Sequence, residues 1–306
     1  MYWGAGCGGC DVSLLGVHED IIDLLKEVEI VFWPCAMDFL HEDLQKMEDG
    51  SIDIVFYNGA VRTQENEEML RILRRKAKIL VAYGSCAIEG CVIGLANLSK
   101  REEIFESVYL NSETTKNAQR VVPGTGKLEL TPVLPYLKTL DQVVEVDAKI
   151  PGCPPPTPVL KEALSALLEG RTEFGKDTAL CDECPRKDSK PEKIEVERFY
   201  RWHEKEDDGS CFIARGIICI GPSTRAGCAG ECVSAGIPCT GCMGPVPKVE
   251  NQGAAILSAI ASILNEKLDE KKESEIIASI NDAVGTFYKY SAAKLLPEGR
   301  WKDERA

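Results

Sequence analysis

Short apolar runs alternate with amphipathic stretches through the first half of the chain. The apolar runs predict five strands, at Met1–Trp3, Glu29–Trp33, Ile52–Tyr57, Ala77–Tyr83 and Val143–Val146. Apolar residues at helical spacing predict helices over Asp11–Val28, Glu65–Arg75 and Pro158–Leu168. Strands that alternate with helices are typical of a parallel sheet covered on both faces, so we predict an α/β domain of flavodoxin or Rossmann type.

The hydrophobic pattern changes after about Gly175. Residues 176–250 contain eight cysteines and many glycines and prolines but little periodicity, whereas residues 252–267 and 274–295 have helical spacing. We therefore predict a flavodoxin-like domain over residues 1–175. Residues 176–306 are predicted to form an irregular, cysteine-rich domain with C-terminal helices. Within the first domain, residues 99–135 are less regular and are predicted to be an insertion or a loop.

Composition and charge exclude several classes of function. The net charge of the 306-residue chain is −13 and its basic residues form no cluster, which argues against a nucleic-acid partner. No apolar stretch reaches the roughly 18 residues that a membrane helix needs. The N-terminus, Met1–Gly4, is not a basic region followed by an apolar run. We expect a cytoplasmic protein without a membrane span.

Fourteen cysteines stand against only three histidines. In a cytoplasmic chain, so many thiols favour metal binding over disulfide formation. Cys7 and Cys10 follow the first predicted strand, Cys86 follows the fourth and Cys153 follows the fifth. Because the carboxyl ends of parallel strands meet at one edge of a sheet, we expect these four thiolates to converge there and to bind a 4Fe-4S cluster.

Other residues near this edge offer alternatives. Cys35 follows the second predicted strand and Cys91 follows Cys86 closely, so either is a candidate ligand, although both also fit the role of a small buried residue, which we favour. Three glycines also match the dinucleotide pattern G-x-G-x-x-G, at Gly4, Gly6 and Gly9. That pattern would place thiolates where a pyrophosphate should bind, so we favour the cluster.

Eight further cysteines lie within the second predicted domain and divide by chain order into two sets of four. The first set is Cys181, Cys184, Cys211 and Cys219, and the second is Cys228, Cys232, Cys239 and Cys242. The spacing within one set also fits a structural zinc site. A third four-thiolate site in the same chain favours iron–sulfur clusters.

The order and context of these motifs resemble the small subunit of nickel–iron hydrogenases over nearly the whole chain. In that family a C-x-x-C, a Gly-x-Cys and a Pro-Gly-Cys-Pro-Pro motif hold the proximal 4Fe-4S cluster. The corresponding residues here are Cys7, Cys10, Cys86 and Cys153. The resemblance also implies a distal cluster at Cys181, Cys184, Cys211 and Cys219. It implies a medial cluster at Cys228, Cys232, Cys239 and Cys242.

Two departures narrow the resemblance. Cys181 stands where the periplasmic members have a histidine, and Cys232 lies near the place of a proline in their 3Fe-4S medial site. We therefore expect three 4Fe-4S clusters and a cytoplasmic branch of the family. Within it, the sequence is most similar to the small subunit of the methanogen viologen-reducing hydrogenases, which do not reduce the deazaflavin coenzyme.

The resemblance implies a subunit without catalytic residues of its own. Hydrogen would be split at the nickel–iron site of the large subunit, and electrons would pass from the proximal through the medial to the distal cluster. The acceptor would be a small iron–sulfur subunit and a heterodisulfide reductase-type flavoprotein complex. The alternatives are the small subunit of a deazaflavin- or NAD-reducing hydrogenase, a hydrogen sensor, and a zinc-stabilised scaffold without a redox role.

Overall fold

The computed structural model describes residues 1–124, 130–264 and 270–296, and the chain divides into two compact units. The first unit comprises Met1–Glu173 together with the C-terminal segment that begins at Ala292, and the second is Phe174–Ser291. The predicted division assigned everything after residue 175 to the second domain. The structure instead places a short C-terminal helix with the first unit, where Ala293 lies close against Gly90 and Gly94.

A parallel sheet lies at the centre of the first unit. The strands of this unit are β1 (Tyr2–Trp3), β2 (Ile52–Asn58), β3 (Val61–Thr63), β4 (Ala77–Tyr83), β5 (Val133–Lys138) and β6 (Ala148–Ile150). Four of them form the parallel sheet in the order β1-β2-β4-β6, and β3 pairs with β5 in a separate antiparallel ladder. The prediction of an α/β parallel-sheet fold is confirmed.

The first unit also contains α-helices, several of which pack on this sheet. They are α1 (Gly9–Leu15), α2 (Asp20–Glu27), α3 (His41–Lys46), α4 (Gln64–Lys76), α5 (Ser85–Glu89), α6 (Arg101–Phe105) and α7 (Thr157–Leu168). Helix α4 begins with a reciprocal cap, in which the Asn66 amide donates to the Thr63 hydroxyl and the Asn66 side chain accepts from the Thr63 amide. Its apolar side, at Met69, Leu70 and Leu73, is buried in the core with β2 and β4.

Two predicted strands are wrong. Residues 29–33 form no strand, although Phe32 and Trp33 are buried as their hydrophobicity predicts. The strand predicted at Val143–Val146 is instead β6, which begins at Ala148. Hydrophobicity therefore identified burial at Phe32 and Trp33, whereas the valines of 143–146 are only half-buried. It carries no information on which backbone segment pairs in a sheet.

The predicted helix over Asp11–Val28 is two helices. The break lies at Gly16 and His18, and His18 adopts a φ of 57° that no helix continues through. The pairing of β3 with β5 was not predicted, and only the first residues of β5 fall within the segment 99–135 that was expected to be irregular.

The second unit is mostly irregular around its cysteines. Its helices are α8 (Leu180–Glu183), α9 (Glu231–Ser234), α10 (Gln252–Ile263), α11 (Glu270–Ala278) and α12 (Ala283–Phe287). The first unit's C-terminal helix is α13 (Ala292–Leu295). The predicted helix at 252–267 corresponds to α10, with residues 265–267 outside the described residues. Among the residues that the structure describes, no helix is long and apolar enough to cross a membrane.

Candidate metal centres

The loops after β1, β4 and β6 are joined at one edge of the sheet. The Gly4 amide donates to the carbonyl of Asn58 at 2.8 Å, directly after β1. The amides of Gly84 and Ser85 donate to the carbonyls of Ile150 and Gly152, each at 2.8 Å. Backbone hydrogen bonds therefore fix the loop of Cys86 to the loop of Cys153, and they fix the loop of Cys7 and Cys10 to the end of β2.

Glycines line the space around the thiols of this edge. A Cβ on Gly84 would collide with the sulfur of Cys10, and Gly84 has a φ of +85°, which favours glycine. A Cβ on Gly6 would stand 4.0 Å from the sulfur of Cys86. The Cys153–Pro154 peptide bond is cis. The backbone thus leaves room close to the predicted ligand sulfurs.

The thiols of this edge are electrostatic neighbours. Burial raises the pKa of Cys10 to about 12, with smaller contributions from Cys153 and Cys7. The hydrogen bond that the Cys153 and Cys91 thiols share, followed by burial, raises the pKa of Cys153. Thiolates gathered in this way repel one another, so the ionised form needs a compensating cation. The predicted ligands Cys7, Cys10 and Cys153 are thus brought together.

The two remaining cysteines of the first unit differ from each other. Cys91 is buried, with 2% of its surface exposed, and its sulfur lies 3.4 Å from that of Cys153. Its φ of +51° is unusual for a residue with a side chain. Cys35 is exposed and lies near the carboxylate of Asp11. Cys91 is therefore a fifth thiol at this edge, with the burial expected of a packed residue.

A polar network that sequence reasoning missed holds helix α1 to the sheet. The carboxylate of Asp11 accepts from the indole of Trp33 at 2.9 Å and from the side-chain amide of Asn58 at 2.8 Å. The hydroxyl of Ser13 bonds that of Tyr83 at 2.7 Å. Asn58 is only 2% exposed, and a polar residue at the end of an apolar strand was the available signal. The network fixes the helix that carries Cys10.

The first cysteine set of the second unit is gathered in the structure. Burial raises the pKa of Cys181 to about 12; Lys190 opposes this shift, and the other three thiols of the set, those of Cys219, Cys184 and Cys211, contribute to it. A Cβ on Gly221 would lie 3.5 Å from the sulfur of Cys181 and 3.6 Å from that of Cys219. All four predicted members are thus neighbours, around a glycine that leaves space.

The second set of this unit is seen as two pairs. Cys232 is an electrostatic neighbour of Cys228, and Cys242 is a neighbour of Cys239. The carboxylate of Glu183 in α8 accepts from the amides of Gly227 and Ala229 at 2.7 and 2.9 Å, on either side of Cys228. Cys239 is also an electrostatic neighbour of Cys219 in the first set, so the grouping of these two pairs into one set stays a prediction. Glu183 joins the loop of one pair to the helix of Cys181.

A buried polar network supports Cys239. The side chains of Thr224 and Gln252 are 0% and 2% exposed. The Thr224 hydroxyl donates to the Ile220 carbonyl at 2.7 Å and accepts from the Gln252 amide at 3.1 Å. The same hydroxyl lies 3.8 Å from the Cys239 sulfur, and the Gln252 amide also donates to the Gly241 carbonyl. The network fixes the turn between Cys239 and Cys242.

Each predicted set consists of thiols, which are the ligands of iron–sulfur clusters. Over residues 1–124, 130–264 and 270–296, no three His, Cys, Asp or Glu side chains are close enough to hold one metal ion. The four thiolates of a 4Fe-4S cluster bind different iron atoms, so they stand farther apart than the ligands of one ion. Mutually repelling thiols around glycine-lined space fit such a group.

Comparisons with known proteins match nearly the whole chain. The family described as NADH ubiquinone oxidoreductase, 20 Kd subunit, matches residues 7–167. An F420-non-reducing hydrogenase subunit of Methanothermobacter thermautotrophicus is 39% identical over 303 residues, which covers 96% of this chain and 94% of that protein. An F420-non-reducing hydrogenase iron-sulfur subunit of Archaeoglobus profundus is 36% identical over 301 residues, with 94% and 93% covered.

A solved structure agrees with the sequence comparisons. A chain of an NAD+-reducing NiFe-hydrogenase, solved in its H2-reduced state, is 31% identical to this chain. The match has a TM-score of 0.50 and covers 56% of this chain and 92% of the other.

Proposed function

Because the chain belongs to the family of F420-non-reducing hydrogenase iron–sulfur subunits, we propose that it is the electron-transfer small subunit of a nickel–iron hydrogenase. The chain is a hydrogenase subunit, and the nickel–iron site belongs to another chain. We propose that it binds three 4Fe-4S clusters, which supply sites that accept and release one electron at a time. None of its own side chains acts as an acid, base or nucleophile.

The grouping of cysteines carries this proposal. Cys181, Cys184, Cys211 and Cys219 come from three separate segments, yet they are neighbours in the structure. At the sheet edge, Cys7, Cys10 and Cys153 are neighbours in the same way, and Cys86 follows the adjacent strand. We assign the proximal cluster to the sheet-edge set, the distal cluster to the set from Cys181 to Cys219 and the medial cluster to the set from Cys228 to Cys242.

The chain's own groups would perform three tasks at these sites. The thiolates would bind iron, and the buried positions of Cys219 and Cys239 would keep water away from their sulfurs. Backbone amides would donate to ligand sulfur, as the Arg186 amide donates to the sulfur of Cys184 at 3.4 Å. Burial and such hydrogen bonds are the means by which a protein sets a cluster potential.

We also propose the partners. The match to a NiFe-hydrogenase chain supports pairing with a large subunit that holds the nickel–iron site. The relatives are named for not reducing F420, which leaves a different acceptor. We propose a small iron–sulfur subunit joined to a heterodisulfide reductase-type flavoprotein complex as that acceptor, with the whole assembly in the cytoplasm.

Metal analysis of anaerobically purified protein tests the cluster assignment. Three clusters predict about twelve iron atoms per chain and a brown colour that reductant bleaches. Each of the variants Cys10→Ser, Cys211→Ser and Cys242→Ser replaces one ligand of a different set and should remove or alter one cluster. Cys35→Ser should leave the iron content unchanged. Zinc without visible absorption would instead identify a structural scaffold, and four irons or fewer would refute the proposal.

Anaerobic co-purification tests the partners. A tag on this chain should recover a nickel-containing subunit, and hydrogen should reduce the co-purified iron–sulfur and flavin centres. Rapid reduction of the deazaflavin coenzyme or of NAD by hydrogen would refute the proposed acceptor while leaving the electron-transfer role intact.

A further inference from the structure

Arg186 is a buried cation next to the predicted distal ligands. Its side chain is only 8% exposed, and its guanidinium donates to both carboxylate oxygens of Asp207, at 2.5 and 2.6 Å. The guanidinium carbon lies 4.3 Å from the centre of the Phe212 ring. Such a planar, bidentate and stacked arrangement is specific to arginine.

A second buried arginine shares the same carboxylate. The side chain of Arg215 is 7% exposed and donates to Asp207 at 3.0 Å, and it also binds the backbone carbonyls of Lys205 and Glu206. The carboxylates face water instead: Asp207 is 37% exposed and Asp208, beside Arg215, is 63% exposed. Water screens the two negative charges more than the two positive ones. The buried side of this group is therefore cationic.

This pair is built into the segments that carry Cys184 and Cys211. Arg186 follows Cys184 by two positions, and its amide donates to the sulfur of that cysteine. The guanidinium of Arg186 also donates to the carbonyl of Ser210, the residue before Cys211, at 3.0 Å. Phe212, on which it stacks, follows Cys211 and packs in the apolar cluster that contains Cys219. The buried arginines thus lie against the segments that carry two of the predicted ligands.

Stability gives a weak reason for this arrangement. Buried Arg–carboxylate–Arg groups can be replaced by apolar residues without loss of stability, because desolvating the charges costs as much as their attraction returns. A cation near a redox centre has a direct effect on its potential, since reduction adds a negative charge that the cation stabilises.

We propose that Arg186 and Arg215 tune the centre held by Cys181, Cys184, Cys211 and Cys219, raising its reduction potential relative to the same ligand set without them. This inference rests on the proposed iron–sulfur function. The two arginines would raise the reduction potential of the distal cluster, so that this cluster accepts electrons readily.

The test is an EPR-monitored potentiometric titration of the purified hydrogenase complex. The signal of this centre is identified as the one that Cys211→Ser removes or alters. Arg186→Met should move its midpoint to a more negative potential, and Arg215→Met should do the same. Asp207→Asn removes the shared negative charge, so it should move the midpoint in the opposite direction.

Controls separate charge from folding. Arg198→Met removes an equal charge from a side chain that is 50% exposed and lies over Tyr200, so it should leave the midpoint unchanged. Arg186→Lys keeps the positive charge, so its midpoint potential should stay near that of the wild type even without the bidentate contact to Asp207. Unchanged midpoints in both methionine variants, or a shift of the same sign in Asp207→Asn, would overturn the inference. A wild-type complex without any iron–sulfur signal would refute the proposed function itself.

Discussion

The sulfur of Cys91 lies 3.4 Å from the sulfur of Cys153, so a fifth thiol contacts one of the four predicted proximal ligands. Cys91 comes from the segment after α5, whereas Cys153 follows β6. The contact raises the question of which sulfur serves the metal. Cys91 is buried and Cys153 is exposed at the sheet edge, which favours Cys153 as the ligand and Cys91 as its packed neighbour.

Substituting each of these two cysteines separately distinguishes the metal ligand from its packed neighbour. We expect Cys91→Ala to retain all its iron, because a packed neighbour contributes apolar contacts only. Cys153→Ala should either lose the proximal cluster, with about four iron atoms, or convert it to a cluster with fewer irons. Iron and sulfide analysis of anaerobically purified protein measures both. Iron loss in Cys91→Ala with full retention in Cys153→Ala would exchange the assignments.

Gly84 offers a test of the space around Cys10. Gly84→Ala should cost on the order of 1–3 kcal/mol, because a φ of 85° with a ψ of 162° is a backbone conformation that essentially only glycine adopts. It should also displace the Cys10 sulfur, with which the new Cβ would collide, and so lower the iron content. Chemical denaturation and iron analysis measure the two effects.

Gly175→Ala is the matched control. Gly175 has a φ of +89°, close to the +85° of Gly84, but nothing lies within 4 Å of its missing Cβ. The control should therefore show a similar loss of stability with full iron. Equal iron contents in the two variants would contradict the view that Gly84 is needed for space at a metal centre.

Much of the fold and of the site was predictable from local pattern. The strand Ala77–Tyr83 has the predicted bounds, because the mostly apolar run lies directly between the end of a helix and Gly84. The gathering of Cys7, Cys10 and Cys153 followed from the topology of a parallel sheet. The strand predicted at Glu29–Trp33 was wrong, because a run of apolar residues indicates burial whether or not the segment pairs in a sheet.

The supporting polar contacts were not predictable. The bonds of Asp11 to Asn58 and of Arg186 to Asp207 join residues 47 and 21 positions apart. Local periodicity does not predict a hydrogen bond between a side chain and a residue that is distant in the sequence. The cysteine spacing in the second unit gave the sets, but it could not indicate that Thr224 and Gln252 support one of them.

Thr224 gives a prediction for the second unit. In Thr224→Val the buried amide of Gln252 loses one acceptor and the Ile220 carbonyl loses one of its donors, so the variant should lose about 1–3 kcal/mol of unfolding free energy. Thr240→Val is the control, since that exposed hydroxyl bonds only at the surface with Tyr290, and its effect should stay within about 0.5 kcal/mol. Urea denaturation measures both. Equal effects would mean that the Thr224 network is not fully buried.

Glu89 gives a prediction about pH. Its side chain is 7% exposed, and burial raises its pKa from 4.5 although Lys294 of α13, 3.2 Å away, opposes the shift. A carboxyl with a raised pKa binds its proton more tightly in the folded state. The stability that it contributes is therefore present below the unfolded pKa and is lost as the pH rises through the folded one.

Glu89→Gln should remove this dependence. Between pH 4.5 and the raised pKa, the free energy of unfolding of the wild type should fall with pH relative to that of the variant, and above that pKa the difference should be constant. Urea denaturation across this range measures it, with Glu102→Gln as an exposed control whose carboxyl has a lowered pKa. If the wild type gained stability over the variant as the pH rose, the Lys294 pair would outweigh burial, and the pKa of Glu89 would be lowered.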